Sequence, residues 1–419
     1  MHARIIPRWF IRHCENWKAY SFNNLLNYWR GLGIGIEKLK SIRDELHERS
    51  DTNIAVIGSV GKTTVVKILA QLLQNAGCPT FYTKVNDNWL PKAPLASYLA
   101  LKKNYSFRIF ECAATKRGDM RALSFLIPSK YIIFTEFTNA HLAEFKNLGK
   151  IIKEKLSFIS YSKKCFIVSH VNNKEFLEQN NIRAIYFGEN GSGAEFSFSD
   201  VKTSINRTTF NLHRPNGEII FVKISGFGAH LPCAAISAIA MFEILTGRQI
   251  NRNNLRALMK FKPIMRRMEI VHRRNIRFIV DTANANRISI LNSLRSFLGL
   301  SNVSPKCIIL DHFSGMGPAL NGEVKKLSKE ILKLPISKLS KLYLVGNEFM
   351  PLYECLSKRI LKTEIKIFSG LNDAKKNIKL ADLRDHTVLL RGPSRGKKNL
   401  VLLIPQYRNY SNETSYIRK

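Results

Sequence analysis

The sequence predicts an α/β protein: a P-loop-type central domain built on a parallel sheet with a small antiparallel addition, followed by a Rossmann-like C-terminal domain. Three observations lead there. Short β-branched runs alternate with amphipathic helical stretches, the pattern of parallel strands joined by helices. A glycine turn between one such run and one such helix carries Lys62-Thr63-Thr64. The alternation lapses once into consecutive β-rich runs and then resumes.

The elements follow in order. Residues 53–57 read as the first strand, and Gly58-Ser59-Val60-Gly61 turns the chain into a helix opening at Lys62. Glycines at 58 and 61 let the turn approach an anion, the free N–H groups of the first helical turn point at it, and the helix dipole favours negative charge there. Lys62 would neutralise outer phosphates and the Thr63 hydroxyl would sit on a magnesium ion. The turn is tighter than the usual Gly-x-x-x-x-Gly-Lys loop, which would need glycine at Val56. Strand-like runs at 80–82, 108–111, 130–135, 165–169 and 184–187 are separated by helical patterns such as 90–101 and 149–161. Ligands of such a sheet bind at the carboxyl ends of its strands. Residues 195–225 are β-rich around a Pro215-Asn216-Gly217 turn, and an Ala-rich helix spans 229–245. From Lys262-Pro263 a second series begins, with strands at 268–271, 276–281, 306–310, 342–345, 364–368 and 387–390 and helices at 288–298 and 323–334. The expected organisation is a basic aromatic segment (1–50), the central domain (51–262), the C-terminal domain (263–405) and a polar tail (406–419).

Composition narrows the classes of function. A chain of 419 residues has room for two or three domains, and a hydrophobic share of 45% excludes a disordered chain. Cys14, Cys78, Cys112, Cys165, Cys233, Cys307 and Cys355 are scattered singly, so neither a disulfide framework nor a zinc knuckle is indicated, and a reducing cytoplasm fits. The longest apolar stretch, 231–245, is interrupted by Pro232 and Glu243 and is too short to span a bilayer. A net charge of +35 suits an anionic partner, but the 66 basic residues are spread rather than blocked and no nucleic-acid module accompanies them, so nucleic acid is not the expected partner. Trp9, Trp17 and Trp29 lie near Arg4, Arg8, Arg12 and Lys18. Such a segment, residues 1–35, either makes peripheral contact with a membrane interface or packs on protein.

Glu111 ends one strand and His141 follows the next, which places both at the rim where the phosphate turn opens; a carboxylate and an imidazole there could hold magnesium. Lys155, on a helix, reads by itself as a solvated lysine.

Six motifs, in order and approximate spacing, resemble Mur ligases, nearest to the MurF branch. They are the turn from Gly58 to Thr64, the stretch from Glu111 to Met120, the run from Thr138 through His141 and Phe145 to Lys155, Gly228-Ala229-His230, Arg267-Met268-Glu269, and Asp281 to Asn286. The likeness covers about residues 51–405 and implies ATP-dependent amide-bond formation between a small-molecule carboxylate and an amino-acid or peptide amine, through an acyl phosphate. It also implies roles. Lys62 matches the phosphate lysine, with Gly58, Ser59, Gly61, Thr64 and His230 among the nucleotide contacts. Thr63 and Glu111 match the ligands of a first magnesium ion and His141 that of a second. Lys155 falls where the family carbamylates a lysine with CO2, Arg267 matches the arginine that reaches the ATP phosphates, and Asp281 the acid near the ribose. There are departures: Ala234 stands where the family has a nucleotide-binding asparagine, Ala283 and Arg287 replace a tyrosine and a proline, and the segment from Arg391 through Arg395 to Gly396 carries an insertion. About 50 residues precede the turn, too few for a comparable UDP-sugar-binding domain, so the expected acceptor is non-standard. A second reading stays open, a nucleotide-binding regulator or scaffold that has lost the chemistry and is held at a membrane or polyanion.

Overall fold

The computed structural model describes residues 34–405 and 407, apart from 86, 163, 284, 302–304, 314–315 and 394–399. Residues 1–33, the tail beyond 407 and Arg395-Gly396 therefore lie outside the described residues. Helix α1 (Ile36–Glu48) leads into β1 (Asn53–Ile57), α2 (Lys62–Asn75), β2 (Thr80–Tyr82), α3 (Ala93–Leu101), β3 (Phe107–Cys112), α4 (Asp119–Leu126) and β4 (Tyr131–Phe134). There follow α5 (Leu142–Phe145), α6 (Leu148–Leu156), β5 (Phe166–His170), α7 (Lys174–Gln179), β6 (Ile185–Glu189), β7 (Phe196–Ser204), β8 (Arg207–His213), β9 (Ile219–Ser225), α8 (His230–Thr246) and α9 (Arg252–Met259).

These strands form one nine-stranded sheet in the order β2-β3-β1-β4-β5-β6-β7-β8-β9. It is parallel through β7 and then continues antiparallel through β8 and β9. In β1 every residue is buried, the mark of a strand covered on both faces. Its side chains alternate between two cores. Ile54 and Val56 join Val65, Leu69 and Leu72 of α2 and Ile236 and Ile239 of α8, whereas Ala55 and Ile57 join Met120 and Leu123 of α4 and Ile151 of α6.

The second sheet is built from β10 (Glu269–Arg273), β11 (Ile276–Asp281), β12 (Lys306–Asp311), β13 (Lys341–Val345), β14 (Glu364–Phe368) and β15 (Thr387–Arg391), in the order β10-β11-β15-β12-β13-β14. A hairpin, β10–β11, sits at its edge and the remaining pairs are parallel. Helices α10 (Arg287–Leu298) and α11 (Leu320–Ile331) cover one face; α12 (Met350–Arg359) and α13 (Leu371–Asn377) complete the series. Ile290 and Leu294 of α10 and Val324 and Leu327 of α11 belong to the same buried cluster as Phe145 and Ile151, so the two lobes share apolar packing.

Two expected helices begin or end differently. The stretch at 90–101 opens as a 3-10 turn, Leu90–Lys92, with Pro91 and Pro94 placed where a missing N–H does no harm. The stretch at 149–161 divides into α6, capped by the Asn147 side chain accepting the Lys150 N–H at 2.9 Å, and a 3-10 segment, Ser157–Tyr161.

Candidate functional site

The turn after β1 closes under steric pressure. A side chain on Gly58 would place its Cβ 1.8 Å from Thr135 Oγ1, so only glycine fits, and Gly61 adopts the left-handed φ of 80° at the head of α2. Ser59 ties this turn to the loop after β4: its hydroxyl donates to the Thr138 carbonyl and accepts the Thr138 N–H, each at 3.0 Å, and its N–H donates to the Glu136 carbonyl. That stitching carries His141, at φ 57°, to the mouth of the cradle.

Two lysines converge beneath the turn. Lys62 Nζ donates to the Gly58 carbonyl at 3.0 Å, and Lys155 Nζ, arriving from α6, donates to the same oxygen at 2.9 Å. Burial lowers the Lys62 pKa; Glu111 opposes that and Arg267 adds to it. Lys155 falls to about 7, first through burial and then through the neighbouring Lys62 charge, against the pull of Glu154. The walls crowding His141, together with Lys155 and Lys62, bring the imidazole down to about 4, so it is neutral near pH 7. Lys155 thus departs from the solvated lysine its helix implied.

Glu111, buried at the end of β3, accepts the Asn88 amide at 2.7 Å, and its N–H donates to the Thr83 hydroxyl at 2.9 Å. Arg267, in the segment leading to β10, donates from Nη2 to Thr63 Oγ1 at 2.9 Å and so brings the second lobe onto the cradle. Asp281, at the end of β11, accepts a hydrogen bond from Ser293 and pairs with Arg391 Nε at 3.3 Å. His230 opens α8, and burial lowers its pKa while Asp281 opposes. Gly58, Ser59, Gly61, Lys62, Thr63, Thr64, Glu111, His141, Lys155, His230, Arg267 and Asp281 all line one crevice of about 870 Å³.

Several residues of this site left no signal in the sequence. Asn88 steers Glu111 from a loop. Glu154 holds the first turn of α4 by accepting the N–H groups of Gly118 and Met120 at 2.7 and 2.8 Å, which anchors the helix that delivers Lys155. Arg391 comes from the far end of the chain.

A thiol-free set of a hydroxyl, a carboxylate and a neutral imidazole fits a hard divalent cation such as magnesium. Among the described residues no group of three His, Cys, Asp or Glu side chains could hold a metal alone, so phosphate oxygens would have to complete its shell.

Fold and crevice define a P-loop-type α/β protein whose second lobe reaches into an anion cradle. Residues 56–242 match the Mur ligase middle domain. The UDP-N-acetylmuramoyl-tripeptide--D-alanyl-D-alanine ligase of Borreliella burgdorferi is 27% identical over 326 residues, 75% of this chain and 67% of that protein. The chain thus spans about two thirds of the length of this curated relative. Among solved structures, MurF from Acinetobacter baumannii superposes with a TM-score of 0.70 at 20% identity, covering 85% of this chain and 77% of that one. MurF from Thermotoga maritima in complex with ADP gives 0.69 at 21%, covering 85% and 79%. Over residues 56–242 the chain is thus similar to the Mur ligase middle domain, and over a longer stretch to the MurF enzymes.

Proposed function

We propose that the protein is an ATP-dependent carboxylate–amine ligase of MurF-like type, working through an acyl phosphate with a non-standard acceptor. The observation that carries this reading is the convergence of Lys62 and Lys155 on the Gly58 carbonyl, facing Glu111 and His141, with Arg267 brought onto Thr63 from the other lobe. The names of the relatives support the ligase class.

The reaction gathers a triphosphate, a carboxylate and an amine, so the site must offset repulsion and align atoms. A carboxylate oxygen attacks the terminal phosphorus as its bond to the ADP oxygen breaks. The amine then attacks the acyl carbon, gives up a proton, and phosphate leaves. Lys62 and the N–H groups at the head of α2 hold the phosphates, and Arg267, once transferred from Thr63, adds positive charge at the terminal one. His141, neutral near pH 7, is able to accept a proton or act as a ligand. Magnesium supplies charge neutralisation at the phosphates, and Thr63, Glu111, His141 and Lys155 are the residues that would hold two ions. Lys155 serves in that role as a carbamate. With its pKa near 7 a large share of the amine is neutral at physiological pH; the nitrogen adds to CO2, a proton is released, and a cation becomes an anion.

Acid-dependent ADP release, measured with a panel of acids and amines, tests the reading. Lys62→Ala should abolish it, and turnover that survived would sink the assignment. The scaffold reading, favoured by the methyl group of Ala234 in the crevice wall, requires that nucleotide bind with no acid-dependent release of ADP.

A further inference from the structure

The turn that presents Arg267 is bent into a shape its residues do not favour. Arg266 and Met268, on either side of it, have φ of 59° and 53°, in the left-handed region that a residue with a Cβ enters at a cost. Two such residues around one arginine persist only where neighbouring groups hold them, and backbone strain held in that way marks a functional segment. Met268 is buried, whereas Arg267 lines the crevice, where its Nη2 meets Thr63. The Arg267 Nε is also buried and has no hydrogen-bond partner among the described residues.

The contacts that hold the turn come from three places. The Arg267 N–H donates to the Ile264 carbonyl, and the Thr282 and Ala283 N–H groups both donate to the Arg266 carbonyl, each at 3.0 Å. Glu269 Oε2 accepts the Arg266 N–H at 2.9 Å. The same oxygen accepts the Tyr407 hydroxyl at 2.7 Å, and the Arg266 guanidinium carbon lies 5.9 Å from the centre of the Tyr407 ring. A carboxylate oxygen shared between a backbone N–H and a phenol has little freedom to rotate, and the N–H it grips belongs to the residue before Arg267.

Tyr407 falls in the stretch expected to be a polar tail, yet it packs on the core of the second lobe. It follows a 3-10 turn, Leu400–Leu403, whose Leu400 and Val401 are buried in that core. Burial and the Glu269 carboxylate push the Tyr407 pKa up, so the phenol keeps its proton and remains a donor.

We propose that Tyr407 is a positioning residue for Arg267: its hydroxyl fixes Glu269, Glu269 fixes the Arg266 N–H, and the turn so held aims the Arg267 guanidinium at the terminal phosphate. The inference rests on the nucleotide reading given under Proposed function and adds the end of the chain to the machinery. It touches no ligand, so its effect reaches the phosphate only through Arg267.

The experiment is calorimetric titration of the full-length protein, with magnesium, using ADP and β,γ-methylene ATP. The native protein should prefer the triphosphate analogue about tenfold, the scale of a charge-assisted hydrogen bond, and Arg267→Ala should remove that preference. Tyr407→Phe, which deletes one oxygen, should narrow the preference about threefold or more while ADP affinity stays within about twofold. In the Arg267→Ala background the same change should leave the preference alone, the non-additivity expected of two residues acting in series. Hydrogen exchange of the peptide over residues 264–269, without nucleotide, should speed up in Tyr407→Phe. A merely structural role would weaken ADP and the analogue alike. A native preference in Tyr407→Phe, beside a lost one in Arg267→Ala, would overturn the positioning role and leave the nucleotide reading intact. Failure of both nucleotides to bind the native protein would overturn that reading and this inference with it.

Discussion

Replacing Lys155 by methionine separates the cost of a buried charge from its use. Lys155 is 7% exposed and sits beside Lys62, and its pKa falls from 10.5 to about 7. At about 1.4 kcal/mol per pH unit, that difference makes folding with a protonated Lys155 costly by on the order of 5 kcal/mol as an upper limit. The sign follows from proton counts. Between pH 7 and 10.5 the unfolded chain keeps the proton and the native one has lost it, so stability from this group is lowest below 7 and recovers as pH rises. Lys155→Met removes the whole dependence, at the loss of one hydrogen bond to Gly58 worth about 1 kcal/mol at any pH. The variant should therefore be more resistant to urea than the native protein at pH 6, and that advantage should shrink by roughly 3 kcal/mol by pH 9. Urea denaturation followed by circular dichroism in CO2-free buffer at the two pH values measures it, and an advantage or deficit equal at both would refute the reasoning. The same variant should have no ligase activity.

Other outcomes follow from the geometry. Gly58→Ala drives a methyl group into Thr135, and nucleotide affinity should fall by at least about tenfold, with Thr135→Ala restoring only part of it because the Thr135 Cβ and backbone carbon also lie within 3.1 Å. Glu154→Ala strips two buried N–H groups of their acceptor and should cost about 1–3 kcal/mol in chemical denaturation, with the Lys155 pKa moving further down. Carbamate formation on Lys155, followed by NMR with labelled CO2, should rise as pH passes through about 7 and vanish in Lys155→Met. Chelation of divalent cations should stop acid-dependent ADP release without changing the circular dichroism spectrum, since no described side-chain cluster depends on a metal.

The strand, glycine turn and helix from Asn53 to Asn75 were legible because the turn occupies consecutive residues between an apolar run and an amphipathic one. The parallel sheets were legible through the unbroken apolar runs of β1, β4 and β12, which two-sided burial requires. Lys155 was opaque, because helical periodicity cannot distinguish a lysine facing water from one threaded beneath a turn 97 residues earlier. Its environment is set by the Ser59–Thr138 stitching and by Glu154 gripping α4, both contacts between distant segments. Asp281 shows the limit of motif reading from the other side: the motif located it on the crevice wall, while its engagement by Ser293 and Arg391 depends on how β11 and β15 pair.

Helices α2, α8 and α10 all begin on the crevice wall, at Lys62, His230 and Arg287, and α2 and α8 lie packed along one another. Each contributes about half a positive charge at its first turn, so three like poles are held facing one hollow. Their mutual repulsion is contained by the hydrocarbon interdigitated between α2 and α8, which works as a frame holding magnets with the same pole inward. On the proposed function, an arriving polyanion would relax that tension rather than create it, and the hollow would be set for phosphate before any ligand arrives.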